Sequence, residues 1–243
     1  MKIALISDIH GNLTALTAVL QDIEQQKADK IICLGDVATL GPQPREVLQK
    51  LRDMDCICIR GNHDEALLNI HAIPDYHIPK TLVSTVHWCL ENLQQEDLLY
   101  LSQFKFSYEF NWDKEFTLFC CHGSPRSTTD IILSTTPTSE CTQMLGDLKG
   151  THMAGGHTHI QMLRQHNGRV LLNPGSVGSV FPRFFLAGEV PSLQPWAEYS
   201  ILNMENGIFN IDMRKIPFNI PALKQIVAKS DIPIKEWWLR QFD

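Results

Sequence analysis

The sequence has no run that approaches the ~18 consecutive apolar residues of a membrane-spanning helix. Its opening residues, Met1 to Ile6, carry no basic segment and no cleavage-site pattern of an export signal. It also lacks any CxxC pair. The seven cysteines (Cys33, Cys56, Cys58, Cys89, Cys120, Cys121 and Cys141) are scattered, and four of them, Cys33, Cys56, Cys58 and Cys120, sit inside apolar runs. That argues against a cysteine-rich zinc site and for reduced, buried thiols in the cytoplasm. Positive charge is not in excess either. With a formal net charge of -6, the chain lacks the basic surface that long nucleic acid needs as a partner. A small anionic substrate is still compatible, because a site that holds metal ions brings its own positive charge. Internal repeats, low-complexity tracts and linker-like stretches are missing too. The simplest organisation is one domain over 1–243, with a core over about 1–216 and a helical tail over about 217–243.

What is present reads as a globular α/β chain, 44% apolar and 20% charged. Ile3 to Ile6, Ile31 to Leu34 and Cys56 to Ile59 are short continuous apolar runs, the pattern of strands buried on both faces. Between them Leu13, Leu16, Val19, Leu20 and Ile23 recur at helical spacing behind Asn12, and a second helix starts near Pro44. Residues 79–103 read as two helical pieces. A hairpin follows, with Phe104 to Phe110 and Phe116 to Cys121 joined around Asn111 to Lys114. A helix over Ser139 to Leu148 and a strand over Thr151 to Ala154 come next. Asn167-Gly168 and Asn206-Gly207 mark two more hairpin turns, and two short helices separated near Pro233 close the chain.

Five polar clusters fall at the ends of these strands, where open α/β sheets place their ligands. They are Asp8-Ile9-His10, Gly35-Asp36, Gly61-Asn62-His63-Asp64, Cys121-His122-Gly123 and Gly156-His157-Thr158-His159. A single Asp after a strand is more often a cap, and a single His in a glycine turn says little. Helix caps, however, have no reason to be rich in histidine at five successive strand ends. In an extended segment Asp8 and His10 would point to one side and grip one ion. His157 and His159 share that spacing, with Cα atoms roughly 6–7 Å apart, and could each reach one of two ions about 3.5–4 Å apart. Gly35, Gly61, Gly123, Gly155 and Gly156 permit close backbone approach. A donor set of His, Asp and Asn favours Mn, Fe, Co, Ni or Zn over Mg.

The order D-x-H, GD, GNHD, H, GHTH resembles the calcineurin-like metallophosphoesterase superfamily. The strings SDIHGN, RGNHD, HGSPR, GGHTH and NPGSVG are similar to its small prokaryotic YfcE-like phosphodiesterase branch. The resemblance implies a four-layer α/β/β/α sandwich of two mixed sheets flanked by helices. It implies two divalent metal ions, manganese before Fe, Ni, Co or Zn, with a bridging hydroxide as nucleophile. Asp8, His10 and His159 would hold the first ion, Asp36 would bridge, and Asn62, His122 and His157 would complete the second. His63 would protonate the leaving group, oriented by Asp64. The implied activity is hydrolysis of small phosphodiesters. A phosphomonoesterase or a protein or nucleotide phosphatase is the alternative, although those phosphatases carry GDxVDRG and GNHE where this chain has Gly35-Asp36-Val37-Ala38-Thr39 and Asn62-His63-Asp64. A non-catalytic scaffold of the same fold would lose the general acid, which is here retained.

Arg126, Asn12 and Arg60 are the candidates for substrate binding, with Arg183 a further one. Arginines pair bidentately with phosphate oxygens, although Arg60 could instead brace its loop and Asn12 cap its helix. Phe181 to Pro195 departs from the resemblance: an apolar stretch with three prolines replaces a short polar loop. It reads as a lid, a contact in a homo-oligomer, or a loop packed onto the domain. An exposed patch of Phe181, Phe184 and Phe185 would favour the first two.

Overall fold

Alternation along the first strand sets the layers. The structure, a computed structural model, describes residues 1–112, 116–185, 189–205 and 208–242. In β1 (Lys2–Ile6), Ile3, Ala4, Leu5 and Ile6 are all fully buried. Ile3 and Leu5 pack with Leu118, Cys120, Ala154 and Leu172, whereas Ala4 and Ile6 pack with Leu16, Val19, Val47 and Leu48. One face of β1 therefore meets a second sheet and the other meets helices, as a period of two requires.

Along the chain, β1 is followed by α1 (Leu13–Gln26), β2 (Lys30–Cys33), α2 (Pro44–Asp53) and β3 (Ile57–Cys58). A helical block comes next: α3 (Asn62–Leu68), a 3-10 segment (Ile70–Tyr76), α4 (Val83–Glu91) and α5 (Gln95–Ser102). Then come β4 (Tyr108–Asn111), β5 (Thr117–Cys120), α6 (Thr138–Leu145), β6 (His152–Ala154), β7 (Met162–His166), β8 (Arg169–Asn173), β9 (Trp196–Glu205), β10 (Ile208–Pro217), α7 (Ile220–Lys229) and α8 (Lys235–Leu239). The first sheet has the order β10-β9-β1-β2-β3, parallel through β1, β2 and β3 and antiparallel at β9 and β10. The second has the order β4-β5-β6-β8-β7, parallel through β5, β6 and β8. Helices α1 to α5 cover the outside of the first sheet, and α6 covers the second through Cys141 and Leu145. This is the four-layer α/β/β/α sandwich of two mixed sheets.

Most elements lie where the apolar periodicity puts them. The turn between β7 and β8 uses Asn167 (φ 48°) and Gly168 (φ 77°), both left-handed as a two-residue hairpin demands. The corresponding Asn206-Gly207 turn and part of the turn expected around Asn111 to Lys114 lie outside the described residues. Asn62, His63 and Asp64 begin a helix, α3, rather than ending a strand, the 3-10 segment Ile70–Tyr76 was not anticipated, and the strand expected from Phe104 begins at Tyr108. Among the described residues no helix is long and apolar enough to cross a membrane.

Candidate metal centre

The loops after β1, β2 and β3 face those after β5 and β6 at one end of the sandwich, and this brings the scattered polar residues together. Asp8, His10 and His159 form one cluster of facing ligand atoms; Asp36, His122 and His157 form a second. His10 Nε2 lies 3.0 Å from His159 Nε2, and Asp8 Oδ1 lies 3.3 Å from His159 Nε2. Asp36 Oδ2 stands between the clusters, 3.3 Å from His122 Nε2 and 3.9 Å from His10 Nε2. Asn62 Oδ1 is 3.1 Å from His122 Nε2, and its amide nitrogen donates to the Tyr76 carbonyl, which fixes which end of the amide faces inward.

The backbone reaches this arrangement by an unexpected route. Asp8 (φ 52°), His10 (φ 47°), Asp36 (φ 55°), His157 (φ 68°) and His159 (φ 58°) are all left-handed, whereas the spacing of Asp8 with His10 and of His157 with His159 suggested extended segments. Each such residue costs about 1 kcal/mol or more relative to ordinary backbone. Surrounding hydrogen bonds hold them there. The loops after β1 and β2 pair through Asp8 N to Gly35 O (2.9 Å) and His10 N to Asp36 O (3.0 Å). Ser176 Oγ and Gly178 N both donate to the Asp8 carbonyl, at 2.7 and 3.0 Å. Asn173 Nδ2 donates to Gly156 O (2.6 Å) and Thr158 Oγ1 (3.0 Å). The NPGSVG string is thus the scaffold of the ligand loops. Gly35 (φ 106°) is needed for close approach: a Cβ there would stand 2.6 Å from Gly61 N and 2.8 Å from His122 Nδ1.

The residues fit divalent ions. His122 Nδ1 lies 2.7 Å from the Leu34 carbonyl, His159 Nδ1 2.6 Å from the Ser179 carbonyl, and His10 Nδ1 3.4 Å from Thr39 Oγ1. A proton held on Nδ1 leaves Nε2 with its lone pair directed inward, the usual outer support of a metal-binding histidine. Asp8 Oδ1 is buried with no hydrogen-bond donor. The electrostatics also call for a cation. Burial works against charge on His122, yet Asp36, with Asp8 behind it, holds that imidazole protonated up to about 10. Burial and the neighbouring His159 push His10 down to about 3, and burial pushes His157 down to about 4. Asp36 is held well below the usual carboxylate range: burial opposes its charge, but His122 and His63 overcome it.

Several expectations need correction. Asp64 does not orient His63. Its Oδ2 accepts from Asp36 N (2.8 Å) and Gly61 N (2.9 Å) and its Oδ1 from Val37 N (3.0 Å), so it ties the Gly35-Asp36 loop to the start of α3. Burial and the charge of Asp36 push Asp64 up to about 7, against those amides. His63 instead lies edge-on to His10, with ring centroids 5.2 Å apart, and its buried Nδ1 has no hydrogen-bond partner. Its backbone N–H donates to Asp36 Oδ1 (2.9 Å). Asn12 is fully buried and committed at both ends, to Ala15 N (3.0 Å) and Gly178 O (3.1 Å), so it caps α1 and leaves nothing for a substrate. Arg60 braces α3 through Glu65 (3.3 Å). Arg126 is exposed and paired with Asp130 (2.6 Å) on its own loop. Arg183 is paired with Glu189 and lies over the Phe185 ring. Phe181, Phe184 and Phe185 are half-buried and Leu193 is buried, so they form no fully exposed patch, whereas Arg183, Glu189 and Val190 are exposed. Residues 186–188 lie outside the described residues.

Sequence reasoning missed the carbonyls of Leu34, Ser179 and Tyr76, which have no side-chain signature. It also missed the role of Phe181, whose ring stacks on His159 with centroids 4.4 Å apart and planes 16° apart.

Comparisons with known proteins agree with this geometry. The chain is 28% identical to the uncharacterized protein MJ0912 of Methanocaldococcus jannaschii over 240 residues, covering 97% of this chain and 94% of that one. It is 36% identical to phosphodiesterase YfcE of Escherichia coli over 74 residues, 26% of this chain and 40% of the relative. The crystal structure of a metallophosphoesterase from Sphaerobacter thermophilus superposes with a TM-score of 0.74 at 25% identity, over 99% of this chain and 98% of that one. The model of the calcineurin-like phosphoesterase superfamily domain matches residues 1–186. That stretch carries the ligand strings and both clusters, and the chain belongs to the calcineurin-like phosphoesterase superfamily.

Proposed function

We propose that the protein is a phosphodiesterase that cleaves small phosphodiesters with two divalent ions, manganese in the first instance. The observation that carries this reading is the pair of clusters sharing the face of Asp36, with the uncommitted imidazole of His63 beside them. Asp8, His10 and His159 would hold one ion and Asn62, His122 and His157 the other, with Asp36 placed to serve both. Such ions, when bound, polarise phosphoryl oxygens and lower the pKa of a water so that it can act as nucleophile. Among the described residues two carboxylates, Asp8 and Asp36, stand in the ligand clusters to offset their charge, so the loaded pocket would attract an anionic phosphate.

His63 serves the leaving group. Its Nδ1 is shut away from solvent, which leaves Nε2 as the atom that passes a proton to the departing alkoxide. Arg126, four residues past His122 and exposed, would serve a phosphate oxygen by exchanging its Asp130 partner for it. Asp64 acts one step back, by fixing the Asp36 backbone. The diester preference is supported by the similarity to a named phosphodiesterase. The seven unpaired cysteines are in keeping with a reducing, cytoplasmic setting.

The test is a panel of alkyl phosphodiesters and matched monoesters offered to the manganese-loaded protein, with His63→Ala as control. Diester cleavage that depends on His63 supports the reading. Faster release from the monoesters would overturn the diester choice, and no release from either class would overturn the enzyme itself.

A further inference from the structure

The segment that carries α7 and α8 lies outside the 1–186 family match, yet it reaches the metal centre along two separate lines. The first runs through Trp238, which is 1% exposed. Its indole N–H donates to the Leu40 carbonyl at 2.8 Å. Leu40 is left-handed, with φ 71°, a conformation that leucine adopts only when something holds it. The residue before it, Thr39, is fully buried and supplies the Oγ1 that faces His10 Nδ1.

The second line runs through the Phe181 to Pro195 segment. Trp237 donates its indole N–H to the Pro191 carbonyl (3.1 Å), and Gln241 Oε1 accepts from Leu193 N (3.0 Å). Leu193 is buried in one apolar cluster with Leu223, Val227, Ile232 and Trp238, and Phe181 packs against that cluster. Gln194 N donates to Val180 O (2.9 Å), which closes the returning limb onto the residue before Phe181. Phe181 then lies flat on the His159 imidazole, whose Nδ1 faces Ser179 O.

Both lines end on the histidines of one cluster, Asp8–His10–His159. The other cluster is held from elsewhere: His122 by the Leu34 carbonyl next to β2, and Asp36 by Asp64 and by the amide of His63. We infer that α8 is a positioning element for one of the two metal positions. Through Trp238 and Phe181 it keeps His10 and His159 facing each other around Asp8, and the Asp36–His122–His157 position does not depend on it. This rests on the two-ion reading above. Its chemical content is a difference in affinity between the two ions, set from outside the ligand shell.

The experiment is equilibrium dialysis of the full chain against Mn2+ for the wild type, Trp238→Phe and Phe181→Leu. Trp238→Phe removes the indole donor and keeps an aromatic ring; Phe181→Leu removes the stacking and keeps the apolar contact. Each variant should bind one ion as the wild type does and the other about 10–100-fold more weakly, the usual effect of losing outer support to a metal ligand. In an Asp8→Asn background, where that position is already crippled, Trp238→Phe should leave the remaining ion unchanged. Ile23→Ala controls for stability: it opens the apolar layer under α1, away from both lines, and both affinities should stay at wild-type values. Two ions of equal affinity in every variant would overturn the inference, as would equal weakening of both ions, or an Ile23→Ala protein that behaves like Phe181→Leu. A wild-type chain that takes up fewer than two ions would instead overturn the two-ion reading itself, and this inference with it.

Discussion

His10 Nε2 and His159 Nε2 face each other at 3.0 Å. With Nδ1 of His159 against the Ser179 carbonyl and Nδ1 of His10 beside Thr39 Oγ1, both Nε2 lone pairs point into the same small space. Two lone pairs at that distance repel unless a positive charge lies between them. Burial opposes a charge there, but Asp8 raises the pKa of His159, so the ion-free chain favours a proton on that side. A divalent ion bound by this cluster would displace the proton and be held by both imidazoles. Binding therefore releases protons, and it should strengthen as pH rises through the range in which these groups lose them.

Removing metal should lower stability. Ions that bind the folded chain alone stabilise it by about 2.7 kcal/mol when present at 100 times their Kd. A thermal melt with Mn2+ should therefore lie several degrees above the same melt with a chelator. Coincident melts would show that the clusters hold no ion with useful affinity.

His63→Ala should keep its ions and lose turnover by about 10²–10⁴-fold on alkyl phosphodiesters, the usual contribution of a positioned proton donor. The loss should shrink on aryl esters, whose leaving groups depart without a proton. Full activity on an alkyl substrate would remove His63 from the mechanism. Metal content measured in parallel separates a chemical effect from a binding one.

Asp36→Asn should weaken both ions together, because Oδ2 of this one residue faces His122 in one cluster and His10 in the other. Elemental analysis that found two tightly held ions in the variant would contradict a shared ligand.

Gly35→Ala should destabilise the fold and distort the site together. The added methyl meets Gly61 N at 2.6 Å, which is backbone and cannot rotate aside, and φ of 106° is foreign to alanine. Overpacking of this kind costs about 1–3 kcal/mol, read as a lower denaturant midpoint. A variant with an unchanged midpoint would mean that the two ligand loops can separate at no cost.

Asp22→Asn should show a pH signature far from the metal centre. Burial raises the Asp22 pKa, but Arg214 (2.7 and 3.0 Å) and the Tyr199 hydroxyl lower it further, leaving it below its ordinary value. A depressed carboxyl stabilises the fold fully above its unfolded pKa of about 3.9, and that stability fades as pH falls through the folded value. The wild type should exceed the variant by about 1 kcal/mol at pH 7, and the gap should close below about pH 4. A gap that stayed constant down to pH 2 would mean that the pair contributes through shape rather than charge.

Much of this was legible in the sequence because it depends on side-chain type and spacing. The continuous runs Ile3 to Ile6 and Ile31 to Leu34 are buried on both faces, and Asn167-Gly168 makes its hairpin. The assignment of His159 to the Asp8–His10 cluster and of His157 to the Asp36–His122 cluster follows the family pattern. What escaped was decided by backbone. Left-handed φ at Asp8, His10, Asp36, His157 and His159 is invisible in residue types that also occur in extended loops. Asp64 was assigned to its sequence neighbour, whereas three amides from the loops around it compete better for its oxygens. The short helix α3 was hidden because its first turn is polar and inward-facing, with Asn62, His63 and Asp64 all buried, so it shows no apolar stripe. The stacking of Phe181 on His159 joins two segments 22 positions apart through a loop whose path no local pattern dictates.

The division of the ligands between the sheets has a consequence for folding. In one cluster Asp8 and His10 come from the first sheet and His159 from the second; in the other Asp36 comes from the first and His122 and His157 from the second. An ion bound at either cluster would therefore clasp the two sheets together across the seam of the sandwich. A loaded chain should open its two halves as one cooperative event, whereas a stripped chain can let one sheet fray while the other persists.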